Sequence, residues 1–95
     1  MPVSLQVTLA AGLNKISSHG IGFKQMIVQN NSADSTVRLG GTQIIAGAYG
    51  TGLGILILAT GSANWGPTVI QGGLLSNWNL VGATNTVIDV TYEPA

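Results

Sequence analysis

The stretch GLGILILATG, residues 52–61, decides the fold, because it fits either part of a membrane helix or a buried strand. A membrane span needs about 20 apolar residues, and the uncharged window at 44–59 is shorter and carries glycines at 47, 50, 52 and 54. No Lys or Arg flanks it closely, as interfacial anchoring would require. Residues 55–58 are instead a continuous apolar run, typical of a strand covered on both faces. We therefore predict a buried strand, with no membrane span, whose second face is covered by a neighbouring subunit.

The rest of the chain is divided into short strand-like segments. Residues 3–9 alternate apolar and polar side chains, the period of a half-buried strand. Residues 23–29 and 35–39 predict a hairpin around the Asn-rich turn at 30–34. Turn signals recur about every 8 to 12 residues, which favours a sandwich or barrel. We predict one all-β domain over residues 1–95: a single antiparallel β-sandwich, jelly-roll-like, with about seven to nine short strands and little or no helix. The further predicted strands are 68–71, 74–81 and 86–92.

Charge is unusually scarce. Only 6% of the residues are charged, against about 25% in an average soluble domain, and no charged residue lies between Arg38 and Asp89. With three basic residues and no net charge, the chain lacks the electrostatics that dominate nucleic-acid binding, and polybasic docking to membranes is disfavoured. A surface short of repulsive charge favours association, so we expect an assembly. The N-terminus has no basic start and no continuous apolar run, which predicts a protein that is not secreted.

Catalytic and cofactor sites are not indicated. The glycines at 47–54 match no phosphate-binding motif, and no lysine follows them. Asp89 and Glu93 would be about 13 Å apart on an extended strand, too far for a glycosidase pair. His19 is the only histidine, and the chain has no cysteine. We therefore predict no metal site, no cofactor and no enzymatic activity.

The sequence predicts different environments for the two tryptophans. Trp65 lies in a glycine- and proline-rich loop, where it is either a binding anchor or a plug folded over the end of a sheet. Trp78 alternates with Asn77 and Asn79 in a predicted strand, which places it in the core.

Three segments give the chain a familiar layout: VSLQVTLAAG at 3–12, FKQMIVQNNSADSTVRLGG at 23–41 and TNTVIDVTYE at 84–93. Together with the glycine-rich apolar middle they resemble small β-rich virion proteins of tailed bacteriophages, which decorate or cement the capsid lattice. The most specific part of the likeness is IVQNN…TVRLGG with the closing VIDVTY. The resemblance implies an all-β sandwich, often trimeric, located where capsid subunits meet.

The function expected from these observations is that of a non-enzymatic structural virion protein. It would be made in the host cytoplasm and bind the major capsid protein, or other virion proteins, as a homo-oligomer, with a trimer favoured. One alternative is a tail, neck or baseplate component, and another is a carbohydrate or host-surface binding module built on the aromatic and amide side chains. The candidate interface residues are Trp65, Tyr49, Leu53, Arg38 and Tyr92.

Overall fold

The computed structural model describes residues 1–47 and 51–95. Within these ranges the chain forms eight β-strands and one short 3-10 turn, Leu75–Asn77. The prediction of an all-β fold is confirmed. The strands are β1 (Val3–Thr8), β2 (Asn14–Lys15), β3 (Gly22–Asn30), β4 (Val37–Gly40), β5 (Ile55–Ile57), β6 (Thr68–Leu74), β7 (Asn79–Gly82) and β8 (Val87–Pro94).

The strands form two four-stranded antiparallel sheets. The first sheet has the order β1-β8-β3-β6, and the second has the order β2-β7-β4-β5. Four of the pairs join strands whose numbers add up to nine, namely β1 with β8, β2 with β7, β3 with β6 and β4 with β5. The first half of the chain, β1 to β4, thus pairs antiparallel with the second half, β5 to β8, as in a long hairpin.

One hydrophobic core lies between the two sheets. Met26, Val28, Ile88 and Val90 of the first sheet are fully buried in the same cluster as Leu39 of the second. Alternate residues of each strand face this core, because successive side chains of a strand point to opposite faces. The two sheets therefore form a sandwich-like arrangement. The second sheet and its flanking segments also contribute Val37, Ile57, Leu75 and Leu80.

The strands at the two chain ends follow their sequence pattern. Along β8, Ile88, Val90 and Tyr92 are buried while the residues between them are half-buried. The register Val3↔Tyr92 to Thr8↔Val87 places the apolar residues of β1 on the same inner face. The period of two thus predicted both strands and their inward faces correctly.

The predicted hairpin at 23–39 is wrong. Strand β3 belongs to the first sheet and β4 to the second, so the segment between them crosses the sandwich. Asn30 organises this crossing from a fully buried position: its Oδ1 accepts the N–H of Ser32 at 2.8 Å, and its Nδ2 donates to the carbonyl of Ser35 at 2.7 Å. Turn-forming residues therefore serve a crossover here rather than a tight hairpin.

The segment at 68–81 also differs from its prediction. Strand β6 continues through Gly72 and Gly73, whose φ angles of 72° and 137° are open to glycine, and Gly73 still pairs with Phe23. The predicted strand at 74–81 is interrupted by the 3-10 turn. Trp78 follows that turn and is only partly buried against the core, while Asn79 is buried.

Strand β5 is an edge strand of the second sheet. Ile57 is 1% exposed, but Ile55, which lies on the same face two residues earlier, is 40% exposed, and Leu56 on the opposite face is half-buried. This chain therefore covers neither face of the strand completely. The prediction of a strand is confirmed, whereas complete cover on both faces is not provided by this chain.

Candidate functional site

Three exposed apolar side chains, Ile45, Leu53 and Ile55, form a surface that we call the apolar ridge. They are 57%, 53% and 40% exposed, respectively. Ile45 and Leu53 are joined by two reciprocal backbone hydrogen bonds of 2.9 Å, so their side chains project to the same side. Gly54 follows at a φ of 117° and leads the chain into β5. The local backbone thus presents apolar side chains to solvent in a fixed arrangement.

A shallow groove of about 500 Å³ lies beside Leu53 and Ile55 of this ridge. The turn at 39–44 forms one wall, and Leu53, Ile55 and Trp78 contribute to its apolar lining. No lining residue carries a charge. Its chemistry therefore suits a neutral, apolar partner and not a phosphate or a sugar acid.

Arg38 lies beneath the ridge and is buried, at 7% exposure. Its Nε donates to the carbonyl of Gly47 at 2.9 Å and its Nη1 to the carbonyl of Gly54 at 2.8 Å. A guanidinium is a rigid fork of donors, so one side chain binds the main chain at two points close to the ridge residues in sequence. Arg38 was predicted as an interface residue, but its position makes it a support for that surface.

Trp65 combines features of both environments predicted for it. Its indole Nε1 donates to the main-chain carbonyl of Asn30 at 2.9 Å, which ties the ring to the end of β3. The residue is nevertheless 39% exposed. The ring is thus anchored by its polar edge while part of its apolar surface meets solvent.

The remaining candidate interface residues are dispersed. Tyr92 is 7% exposed and packs in the core through the inner face of β8, so its side chain is not presented to a partner. Tyr49 lies outside the described residues. Of the four candidates within the described residues, Leu53 alone lies on the apolar ridge, with Arg38 below it.

Two of the three ridge residues were not among the interface residues predicted from the sequence. Ile45 falls in a segment whose pattern was ambiguous, and Ile55 was assigned to a strand covered on both faces. No pattern in the sequence marks these two residues as exposed, because an apolar side chain has the same identity whether it faces solvent or the core.

The outer face of the first sheet carries polar side chains around Asp89 and apolar ones at Ile27 and Val69. On this face Gln6 and Gln29 flank Asp89 from the two neighbouring strands. The Asp89 carboxylate accepts hydrogen bonds from Gln6 Nε2, at 2.9 Å, and from the amide of Asn31. These contacts give Asp89 a structural role in joining three segments of the chain.

The acidic side chains and the histidine of residues 1–47 and 51–95 are dispersed over the fold. No group of three or more His, Cys, Asp or Glu side chains lies close enough to hold a metal ion. His19 is exposed; its main-chain N–H donates to Ser17 Oγ, and its carbonyl accepts the N–H of Ile21.

The described part of the chain contains no helix of the length and apolarity needed to cross a membrane. Comparisons with protein-family models, with curated proteins and with solved structures gave no match to this chain.

Proposed function

We propose that this chain is a non-enzymatic structural virion protein that binds and stabilises the capsid lattice of a tailed bacteriophage as a homo-oligomer. It is made in the host cytoplasm, and its partner is the major capsid protein or another virion protein. The observation that carries the proposal is the apolar ridge beside an uncharged groove, on a chain with no charged residue between Arg38 and Asp89.

An uncharged surface with exposed apolar side chains has the composition of a protein interface. The cores of protein interfaces are depleted of charged residues, and obligate interfaces are the more apolar ones. Ile45, Leu53 and Ile55 expose apolar area that costs free energy in water, and burial against another chain removes that cost. A lattice of repeated subunits offers such cover at every copy.

The strand pairing gives separate support. We infer that the sandwich is a jelly roll, because an eight-stranded ribbon folded over itself pairs strands whose numbers add up to nine. Jelly rolls occur in viral capsid domains and in lectins. A fold does not determine a function, so this argument supports the proposal only together with the apolar ridge.

The test is association with capsids of the phage that encodes the chain, assembled without it. We expect the purified chain to sediment with these capsids and Leu53→Asp to weaken the association at least about tenfold, since a charge placed in an interface core removes an apolar contact. Leu13→Asp is the matched control, because Leu13 is a similarly exposed leucine, at 46%, outside the groove. Absence of wild-type binding, or equal effects of the two variants, would contradict the proposal. Electron microscopy of virions distinguishes a capsid location from a tail, neck or baseplate location.

A carbohydrate-binding module is the second candidate, and Trp65 favours it. A tryptophan ring held by its indole N–H and open on part of its surface can stack on a sugar. The groove that we describe does not include Trp65, so this candidate depends on a different surface from the apolar ridge.

A further inference from the structure

Strand β1 forms one edge of the first sheet and is regular along its whole length. Its six residues, VSLQVT, pair in unbroken register with β8 on one side only. The strand contains no charged residue and no proline. Proteins normally protect an open edge with charges, prolines, bulges or very short strands, because the unpaired backbone groups invite pairing with another chain.

The other edges of the two sheets have such protection. Strand β2 has two residues and β5 has three. Strand β6 departs from the regular extended conformation at Gly72 and Gly73, which both have positive φ. Among the strands of the described ranges, β1 is therefore the longest regular edge without a protective feature.

The backbone groups that β1 leaves open follow from its hydrogen-bond pattern. Leu9 donates to the carbonyl of Thr86 at 2.9 Å and accepts from the N–H of Asn85 at 2.7 Å, so its polar groups face the β8 side. In an antiparallel ladder, N–H and C=O of one residue point the same way, and the direction alternates along the strand. The groups of Ser4, Gln6 and Thr8 therefore face outward.

We propose that β1 pairs with β1 of a second copy of this chain, antiparallel and across a two-fold axis at Gln6. In this register Gln6 faces the Gln6 of the second copy, and Ser4 faces Thr8. All the outward backbone groups of the strand are then used, in about six hydrogen bonds. The first sheets of two copies join into one continuous sheet.

The side chains of β1 fit a second copy better than a partner of different composition. Leu5 and Val7 are only half-buried and Val3 is 40% exposed, although all three face the core. In the Gln6-centred register Leu5 faces Val7 of the other copy, so apolar residues meet apolar ones and polar residues meet polar ones. Such cross-strand pairs are what stabilises a sheet.

Charge also permits this pairing. The nearest acidic groups are the two Asp89 carboxylates, one per copy, which would be separated by three strand spacings, about 14 Å. This distance exceeds the Debye length of about 8 Å at physiological salt, so their repulsion is screened. The strand itself contributes no charge to the contact.

A two-fold contact builds a dimer or another even-numbered oligomer, in contrast to the trimer that the phage resemblance implies. The inference shares with the proposed function only the expectation of a homo-oligomer. It adds which surface makes the contact and which residue lies on the axis.

The experiment measures mass by light scattering over a concentration series. We expect wild type at roughly 19 kDa, twice the 9.7 kDa of the chain. Gln6→Lys places two like charges opposite each other and should shift the mass to 9.7 kDa, while in the monomer the introduced ammonium group meets the favourable charge of Asp89. Gln29→Lys is the matched control, because Gln29 flanks Asp89 from the inner strand β3, and it should leave the dimer intact.

A second pair of variants tests the register without relying on charge. The chain has no cysteine, so Gln6→Cys introduces a single thiol directly opposite its own copy, within the Cα separation of a disulfide. Mild oxidation should yield a covalent dimer. Ser4→Cys, whose two copies would lie about 13 Å apart, should not cross-link.

Each outcome has a separate meaning. A trimer that Gln6→Lys leaves unchanged refutes the β1 contact but leaves the proposed function standing. A monomer at all concentrations refutes both the contact and the homo-oligomer of the proposed function. A dimer in which Gln6→Cys fails to cross-link, or Ser4→Cys cross-links equally well, refutes the register.

Discussion

Replacement of Asn30 by alanine should remove a large part of the stability of this chain. Asn30 is fully buried, and its amide bonds Ser32 N–H at 2.8 Å and the carbonyl of Ser35 at 2.7 Å, with a weaker contact of 3.5 Å to the carbonyl of Ile57. Each buried partner left without a hydrogen bond costs about 1–3 kcal/mol. Because the two short bonds are partly accessible to water, we expect a total loss of about 2–4 kcal/mol.

The assay is urea unfolding followed by circular dichroism, at one fixed protein concentration because association changes apparent stability. A loss of this size corresponds to a fall in Tm on the order of 10–20 °C for a domain of this length. Asn31→Ala is the control, since Asn31 is exposed and bonds the Asp89 carboxylate, and it should cost less than about 1 kcal/mol. A loss below about 1 kcal/mol for Asn30→Ala, or equal losses for both variants, would refute the reasoning.

Two further predictions concern the loop that precedes β6. Gly61→Ala should destabilise the fold by about 1–3 kcal/mol in the same urea assay, since a Cβ there would lie 2.6 Å from the carbonyl of Ala33. Gly66→Ala, where a Cβ meets nothing within 4 Å, should change stability by less than about 0.5 kcal/mol; similar losses would show that the contact does not matter. If the chain binds carbohydrate, a glycan array should give a specific hit that Trp65→Ala abolishes, and a hit that survives this change would exclude Trp65 stacking.

The strands with a clear period of two were predictable from the sequence. Strands β1 and β8 show it because each has one face on the core and one facing away from it, so the side chains report the burial directly. The presence of β5 was also predictable from its apolar run. The exposure of Ile55 was not predictable, because an apolar side chain has the same identity whether it faces solvent or the core.

The long-range arrangement was not predictable from local pattern. The Asn-rich segment after β3 has the composition of a hairpin turn, but it crosses between the sheets because Asn30 is drawn into the interior by bonds to Ser32 and Ser35. Likewise Gly72 and Gly73 looked like a strand end, and only the pairing with β3 shows that β6 continues through them. Pairing partners distant in sequence decide these features.

The site was predicted less completely than the fold. Leu53 was selected from the sequence and does lie on the exposed ridge, whereas Arg38 and Tyr92 were selected and are buried. Arg38 illustrates the reason: a cationic residue in a chain with few charges suggests a surface position, but its guanidinium binds the carbonyls of Gly47 and Gly54. Composition alone does not reveal such internal partners.

The burial of Arg38 affects how this protein responds to trypsin, which cleaves after lysine and arginine. Lys15 and Lys24 are exposed but lie in paired strands, and Arg38 is enclosed within the second sheet, so each cleavage requires local opening. After Arg38 the sequence offers trypsin no further site. The folded chain should therefore resist digestion, and the unfolded chain should yield one long, poorly charged fragment after Arg38. A protease that cleaves at aromatic residues is better suited to detecting this protein from its peptides.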